Sequence, residues 1–232
     1  QIVPPSGSLI YDGNEHTATV NKSQDWQGEA VDTSTIVYTK EGDDTFIGKP
    51  KDAGTYTASI TVGEGKNAKT ASVKYTIAQA ELTIDSVTVA SKTYNGSADA
   101  EITNVTFTGL KNSEALTKDT DYEVSGTFNS ANVNEANKVT GTVTLKDTSK
   151  VKNYKLPITT YDVSATIAQA ATPAAPTGLT GVKDQLLSTV SLAAHPGWSW
   201  ADGAVSMSTA GSQDFNANYH DSNGNYADGT NV

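Results

Sequence analysis

The side chains able to carry acid–base, nucleophilic or metal chemistry are few in this 232-residue chain, which has three histidines and no cysteine. His16 falls on a predicted strand and His195 and His220 in predicted loops, so no spacing sets two of them to share a proton. Asp43-Asp44, and Asp119 with Asp121, are acidic neighbours in polar loops. Glycoside hydrolysis needs two carboxyl groups placed across a bond, whereas such neighbours are ordinarily solvated charges. Gly197-Trp198-Ser199-Trp200-Ala201 begins like a nucleophile elbow, but the second glycine and the strand-to-helix context are missing. No catalytic residue is expected.

Two groupings could bind rather than react. Asp221, Asn223 and Asn225, with Asp228 further on, place oxygen-bearing side chains at alternate positions, as a calcium loop does. Gly224 adds flexibility, but the sixth position is Tyr226 rather than glycine and no glutamate closes the loop. An ordinary Asx-rich turn therefore competes with a calcium site, the one cofactor in view. Trp26, Trp198 and Trp200 could stack on sugar rings, because an indole offers a broad apolar face with a polar edge. On one strand Trp198 and Trp200 point the same way, and that shared face serves equally well as core.

The elements that would position these residues are strands. Tyr56, Ala58, Ile60 and Val62 alternate with Thr55, Thr57, Ser59 and Thr61, the period of a half-buried strand. Val73, Tyr75 and Ile77 repeat that pattern. Leu9-Ile10-Tyr11 is expected to meet His16–Val20 across a tight Asp12-Gly13 hairpin, since that dipeptide readily takes positive φ. The signature recurs as Tyr94-Asn95-Gly96, and each copy runs to an identical close, Ile77-Ala78-Gln79-Ala80 and Ile167-Ala168-Gln169-Ala170. Alternation and turn spacing predict an all-β fold of tandem small β-sandwich (Ig-like) modules. A β-grasp arrangement is the alternative, with Ser113 to Leu116 as the place for its helical turn.

The closes divide the chain into a first repeat (residues 1–79), a second (80–170) and, after a Pro/Ala linker, a third (171–232). The third has no Ile-Ala-Gln-Ala close, which predicts that the segment stops inside or just before its last strand. The linker at Ala170–Pro176 should be a semi-rigid spacer, and Ala80-Glu81-Leu82 leaves almost no slack. The recurring Tyr11, Tyr56, Tyr94 and Tyr154 are expected to pack the modules.

All sixteen basic residues are Lys, against 26 Asp plus Glu, for a net charge of -10. A chain without arginine and without a positive field is a poor partner for nucleic acid or an anionic membrane surface. No apolar run reaches the roughly 20 residues that a membrane span needs. The N-terminus Gln1-Ile2-Val3-Pro4 lacks the form of a signal peptide, so the signal of an exported protein would lie outside this segment. Cysteine-free β modules rich in Thr, Gly and Asn fit a bacterial surface.

Tyr11-Asp12-Gly13, Asp52-Ala53-Gly54-Thr55-Tyr56-Thr57-Ala58 and the terminal strand before Ala-Gln-Ala resemble the MBG/YDG-type repeat modules of bacterial cell-surface proteins and adhesins. The second repeat resembles the YDG branch, although Val133–Val139 stands where Asp-Ala-Gly-Thr-Tyr would be expected. In the third, Gly197-Trp198-Ser199-Trp200, Ala210-Gly211, Tyr219 and Asn225-Tyr226 resemble a related surface repeat. The resemblance implies an extracellular, often wall-attached, non-enzymatic array: a stalk or spacer, or an adhesin module. It carries no catalytic residues. A glycan-binding role for the third repeat is the competing expectation, with a host or dietary glycan or a surface protein as partner and a monomeric chain. In such a setting a Lys–Asn or Lys–Asp isopeptide crosslink is a covalent option, for which no diagnostic spacing is present.

Overall fold

A computed structural model of the chain describes residues 1–22, 31–46 and 48–231. It is all-β, and the helical elements among the described residues are four 3-10 turns, each of three residues. Ser113 to Leu116 forms no helix. Trp26 lies outside the described residues.

The alternating Thr-rich segments of the first repeat form a three-stranded antiparallel sheet in the order Val37–Lys40, Gly54–Val62, Lys69–Ile77. Tyr56, Ala58 and Ile60 point into the core, and Tyr75 and Ile77 join them from the neighbouring strand. Along the outer face the hydroxyls pair across strands, Thr55 with Thr76 at 3.0 Å and Thr61 with Thr70 at 2.8 Å. Period-two burial with β-branched polar residues outside is what makes this segment a strand.

The Tyr-Asp-Gly turn is present, but the expected hairpin is not. Asp12 accepts the Asn14 N–H at 2.8 Å, and Gly13 has φ 77°. Asn95 accepts the Ser97 N–H at 3.1 Å, and Gly96 has φ 79°. Both are Asx turns with a left-handed glycine. Their flanks, however, pair elsewhere. Ile10 bridges Ala78 in parallel, and Thr19–Val20 pairs antiparallel with Ile2–Val3. In the second repeat Lys92–Thr93 pairs in parallel with Ile167–Ala168. Each turn thus follows a short segment that closes on the end of its own repeat, some 70 residues away in sequence.

The second repeat contributes strands at Thr83–Val89, Ile102–Thr108, Tyr122–Phe128, Lys138–Leu145 and Thr160–Ser164, and the third pairs Trp198–Trp200 antiparallel with Ala217–Tyr219. Two compact units emerge. One comprises residues 1–87, 104–124 and 142–160, and the other residues 88–103, 125–141 and 161–232. Residues of the second repeat therefore belong to both. In the first unit Tyr11, Tyr56, Ile77, Leu82 and Tyr154 are central to one core; in the second, Leu187, Val190 and Met207 form a smaller cluster.

Candidate functional site: a repeated Asn-Tyr joint

The buried polar or charged side chains among the described residues are Asp121, Asn153 and Asn225. Burying an amide or carboxylate costs free energy unless its hydrogen bonds are replaced, so each marks a place where the chain is committed to a particular partner. Two of the three are the asparagines of Asn-Tyr dipeptides, 153–154 and 225–226.

In the first unit the Val151–Asn153 turn sets Asn153 at 4 % exposure against the loop after Pro50. Its Oδ1 accepts the Ala53 N–H at 2.8 Å, and its Nδ2 donates to Asp52 Oδ1 at 3.0 Å. Tyr154 follows and packs edge-on against Tyr11, with centroids 5.4 Å apart and planes at 85°. Glu114 ties the pair, accepting from Tyr11 at 2.5 Å and from Tyr154 at 2.8 Å. Burial pushes the Tyr154 hydroxyl up to about 12, with the Lys111 N–H opposing and Glu114 adding to the rise. Burial raises Tyr11 too, and the Glu114 carboxylate raises it further. Both phenols therefore stay protonated donors at neutral pH. The close of the first repeat completes the joint: Ala80 bridges Tyr154 in parallel, Leu82 donates to the Lys155 carbonyl, and Gln79 Nε2 donates to the Lys152 carbonyl at 3.0 Å.

The second unit contains the same arrangement. Asn225, also 4 % exposed, accepts the Val133 N–H at 2.9 Å and donates to Asn132 Oδ1 at 3.2 Å. Tyr226 packs edge-on against Tyr94 at 5.4 Å and 76°. Ala170 bridges Tyr226 in parallel, and Gln169 Nε2 donates to the Gly224 carbonyl at 3.0 Å. Asn132-Val133 thus does for Asn225 what Asp52-Ala53 does for Asn153, which explains how the second repeat manages without an Asp-Ala-Gly-Thr-Tyr segment. The last alanine of each Ala-Gln-Ala close pairs with the following Asn-Tyr segment, Ala80 with Tyr154 and Ala170 with Tyr226, so the start of the Ala170–Pro176 linker is held in place.

The oxygen-rich loop supports this second joint. Asp221 accepts the N–H groups of Asn223, Asn225 and Tyr226, at 3.0, 2.6 and 2.9 Å. Those bonds, Asn223 first, hold its carboxyl below the usual aspartate range. Asp228 accepts from the Asp221 N–H and lies 3.0 Å from His220 Nδ1. Asn225 turns away into the joint. The geometry is that of an Asx-rich turn with its oxygens engaged by backbone donors. Among the described residues no group of three or more His, Cys, Asp or Glu is arranged to hold a metal ion.

Trp198 and Trp200 are both half-buried on one face of their strand, with Ser199 exposed between them. Trp200 donates from Nε1 to the Val190 carbonyl at 2.9 Å and packs on the Leu187, Val190 and Met207 cluster. Trp198 leans on Tyr219, with centroids 5.3 Å apart. The third buried polar group, Asp121, meets Lys150 Nζ at 3.2 Å. Burial alone would raise its pKa, but the Thr117 N–H, Lys150 and Thr148 hold it low, so the pair is an ion pair with an ionised carboxylate. An ionised carboxylate is a poor electrophile for an amine.

The joint itself was missed from sequence. Its signal was the Asn-Tyr dipeptide at 153–154 and again at 225–226, each meeting an Ala-Gln pair, although the same dipeptide at 218–219 lies in a strand.

Among the described residues no helix is long and apolar enough to cross a membrane. No curated protein matches the chain, and no solved structure does. Residues 78–165, which run from the close of the first repeat through Tyr94-Asn95-Gly96 and Asn153-Tyr154, match the family of the YDG domain.

Proposed function

We propose that the chain is a non-enzymatic, tandem-repeat segment of a bacterial cell-surface protein, acting as a stalk or spacer that presents other parts of the protein. In this reading the YDG domain sits between an MBG-type first repeat and a related third repeat. The carrying observation is where the buried polar groups lie: two of the three seal junctions between successive repeats. A protein that invests its costly buried amides in junctions is built for connection. The cysteine-free, acidic, Thr-rich composition supports a place outside the cell. Antibodies raised against this segment should label intact source cells, and mild protease treatment of those cells should remove the label. Labelling seen only after lysis overturns the surface assignment.

A second reading draws on the half-exposed Trp198, whose indole packs at a tilt of 53° against Tyr219 and leaves part of an aromatic face open to a sugar ring. In it the third repeat binds glycan, and affinity electrophoresis through host and plant polysaccharides should retard the chain but not its Trp198→Ala variant. Equal mobility of the two removes this reading.

A further inference from the structure

We propose that an Asn-Tyr dipeptide following a turn, as at 153–154 and 225–226 but not within the strand Ala217–Tyr219, is a docking signature by which one repeat recognises the repeat before it. The surface it fits is the backbone N–H after an Asx residue, beside the tyrosine of Tyr-x-Gly, on another copy of the same kind of module. The proposal rests on the reading of the chain as a repeat array, and is independent of where the protein sits in the cell.

Three observations carry it. The two joints share their plan but not their neighbours in sequence: Asp52-Ala53 and Asn132-Val133 differ at both positions, yet each offers a backbone N–H to the asparagine Oδ1. Both asparagines are buried with both ends of the amide engaged, so the fit is specific and not merely apolar. Finally, the first repeat holds a natural variant of the signature. Lys66-Asn67-Ala68-Lys69 matches Lys152-Asn153-Tyr154-Lys155, and Asn67 closes the Gly65–Asn67 turn as Asn153 closes Val151–Asn153. With alanine in place of tyrosine, Asn67 is exposed. The tyrosine supplies the apolar area that makes burying the amide worthwhile, and without it the dipeptide is an ordinary turn.

The residue opposite the asparagine Nδ2 gives each joint its own selectivity. In the first joint it is a carboxylate, Asp52; in the second it is the amide of Asn132, whose own Nδ2 makes only a 3.4 Å contact to Glu135. An aspartate replacing Asn153 would put two carboxylates at hydrogen-bonding distance. An aspartate replacing Asn225 would face an amide able to turn its NH2 inward. Like charges in contact are strongly disfavoured, while the reversed amide–carboxylate pair keeps its bond.

The test uses the full chain and amide hydrogen exchange followed by NMR at neutral pH. Asn153→Asp should speed exchange of the Ala53 amide by roughly tenfold or more, and Asn225→Asp should change the Val133 amide by no more than about threefold. Adding Asp52→Asn to Asn153→Asp should restore the Ala53 amide to near its original rate, while Asn67→Asp should alter neither joint. If Asn153→Asp unfolds the chain, recovery in the double variant still decides the matter. The proposal is overturned if Asn153→Asp and Asn225→Asp act alike, or if Asp52→Asn brings no recovery. Surface labelling of cells is unaffected by either outcome, so this failure and that of the surface reading are distinct.

Discussion

The two joints put one backbone plan in two chemical settings. In the first, Tyr11 and Tyr154 are each 2 % exposed and their hydroxyls share a carboxylate, Glu114. In the second, Tyr94 and Tyr226 are only half-buried, no carboxylate among the described residues bridges them, and Tyr219 adds a further edge contact at 6.3 Å. What stays constant is the pairing of the Ala-Gln close and the asparagine amide on a backbone N–H. Backbone hydrogen bonds thus fix where repeats meet, and the side chains around them set how firmly.

The largest test of that difference is removal of the docking ring. Tyr154→Ala should cost about 3–5 kcal/mol in urea unfolding followed by circular dichroism, the usual penalty for deleting a fully buried aromatic. Tyr226→Ala should cost clearly less, because part of its ring already faces solvent. Equal losses would mean that burial does not separate the joints. Glu114→Ala comes next. It leaves two phenol hydroxyls without their acceptor and should cost about 2 kcal/mol, with no counterpart available in the second joint. The turn glycines are a smaller probe. Gly13 and Gly96 both have positive φ, so Gly96→Ala should cost about 1 kcal/mol from backbone strain alone. Gly13→Ala should cost more, because a Cβ there meets the Asn112 side chain while Gly96 faces open space. A lower cost at Gly13 than at Gly96 would show that Asn112 moves aside freely.

Much of this was legible in the sequence wherever the signal was local. The alternation Thr55 to Val62 named the strand and, through Ile60, its buried face, although Val62 at the strand end is exposed; Asp12-Gly13 and Asn95-Gly96 named their turns. What stayed hidden was pairing between residues far apart. Nothing near Ile10 says that it bridges Ala78 rather than the segment just past the turn, and a hairpin is the cheaper guess because its loop is short. The joint was hidden for a related reason. Asn153 looks like any polar residue after a lysine, and its burial depends on a loop 100 residues earlier. The oxygen-rich loop at 221–228 was legible only as two competing readings, because side-chain spacing says nothing of the backbone N–H groups that engage the Asp221 and Asp228 oxygens.

The smallest difference between the regions is one atom type in the turn, Asp12 in the first repeat and Asn95 in the second. The Asn14 N–H first of all, then the Asn14 side chain and His16, hold the Asp12 carboxyl below the usual aspartate value of 3.8 against the opposing effect of burial. A depressed folded pKa means that the contribution is fully present above the unfolded value and is lost as pH falls through the folded one. The Asx turn at Asp12 should therefore loosen only in acid, below about pH 4. The Asn95 turn, whose acceptor does not titrate there, should hold across the same range. Following the Asn14 and Ser97 amides by NMR from pH 6 to pH 2.5 reads both at once. Asn14 should shift and exchange faster than its neighbours in that window while Ser97 does not, and Asp12→Asn should make the two turns behave alike. If Ser97 moves together with Asn14, the acid response belongs to the whole fold and the charge on Asp12 does not distinguish the repeats.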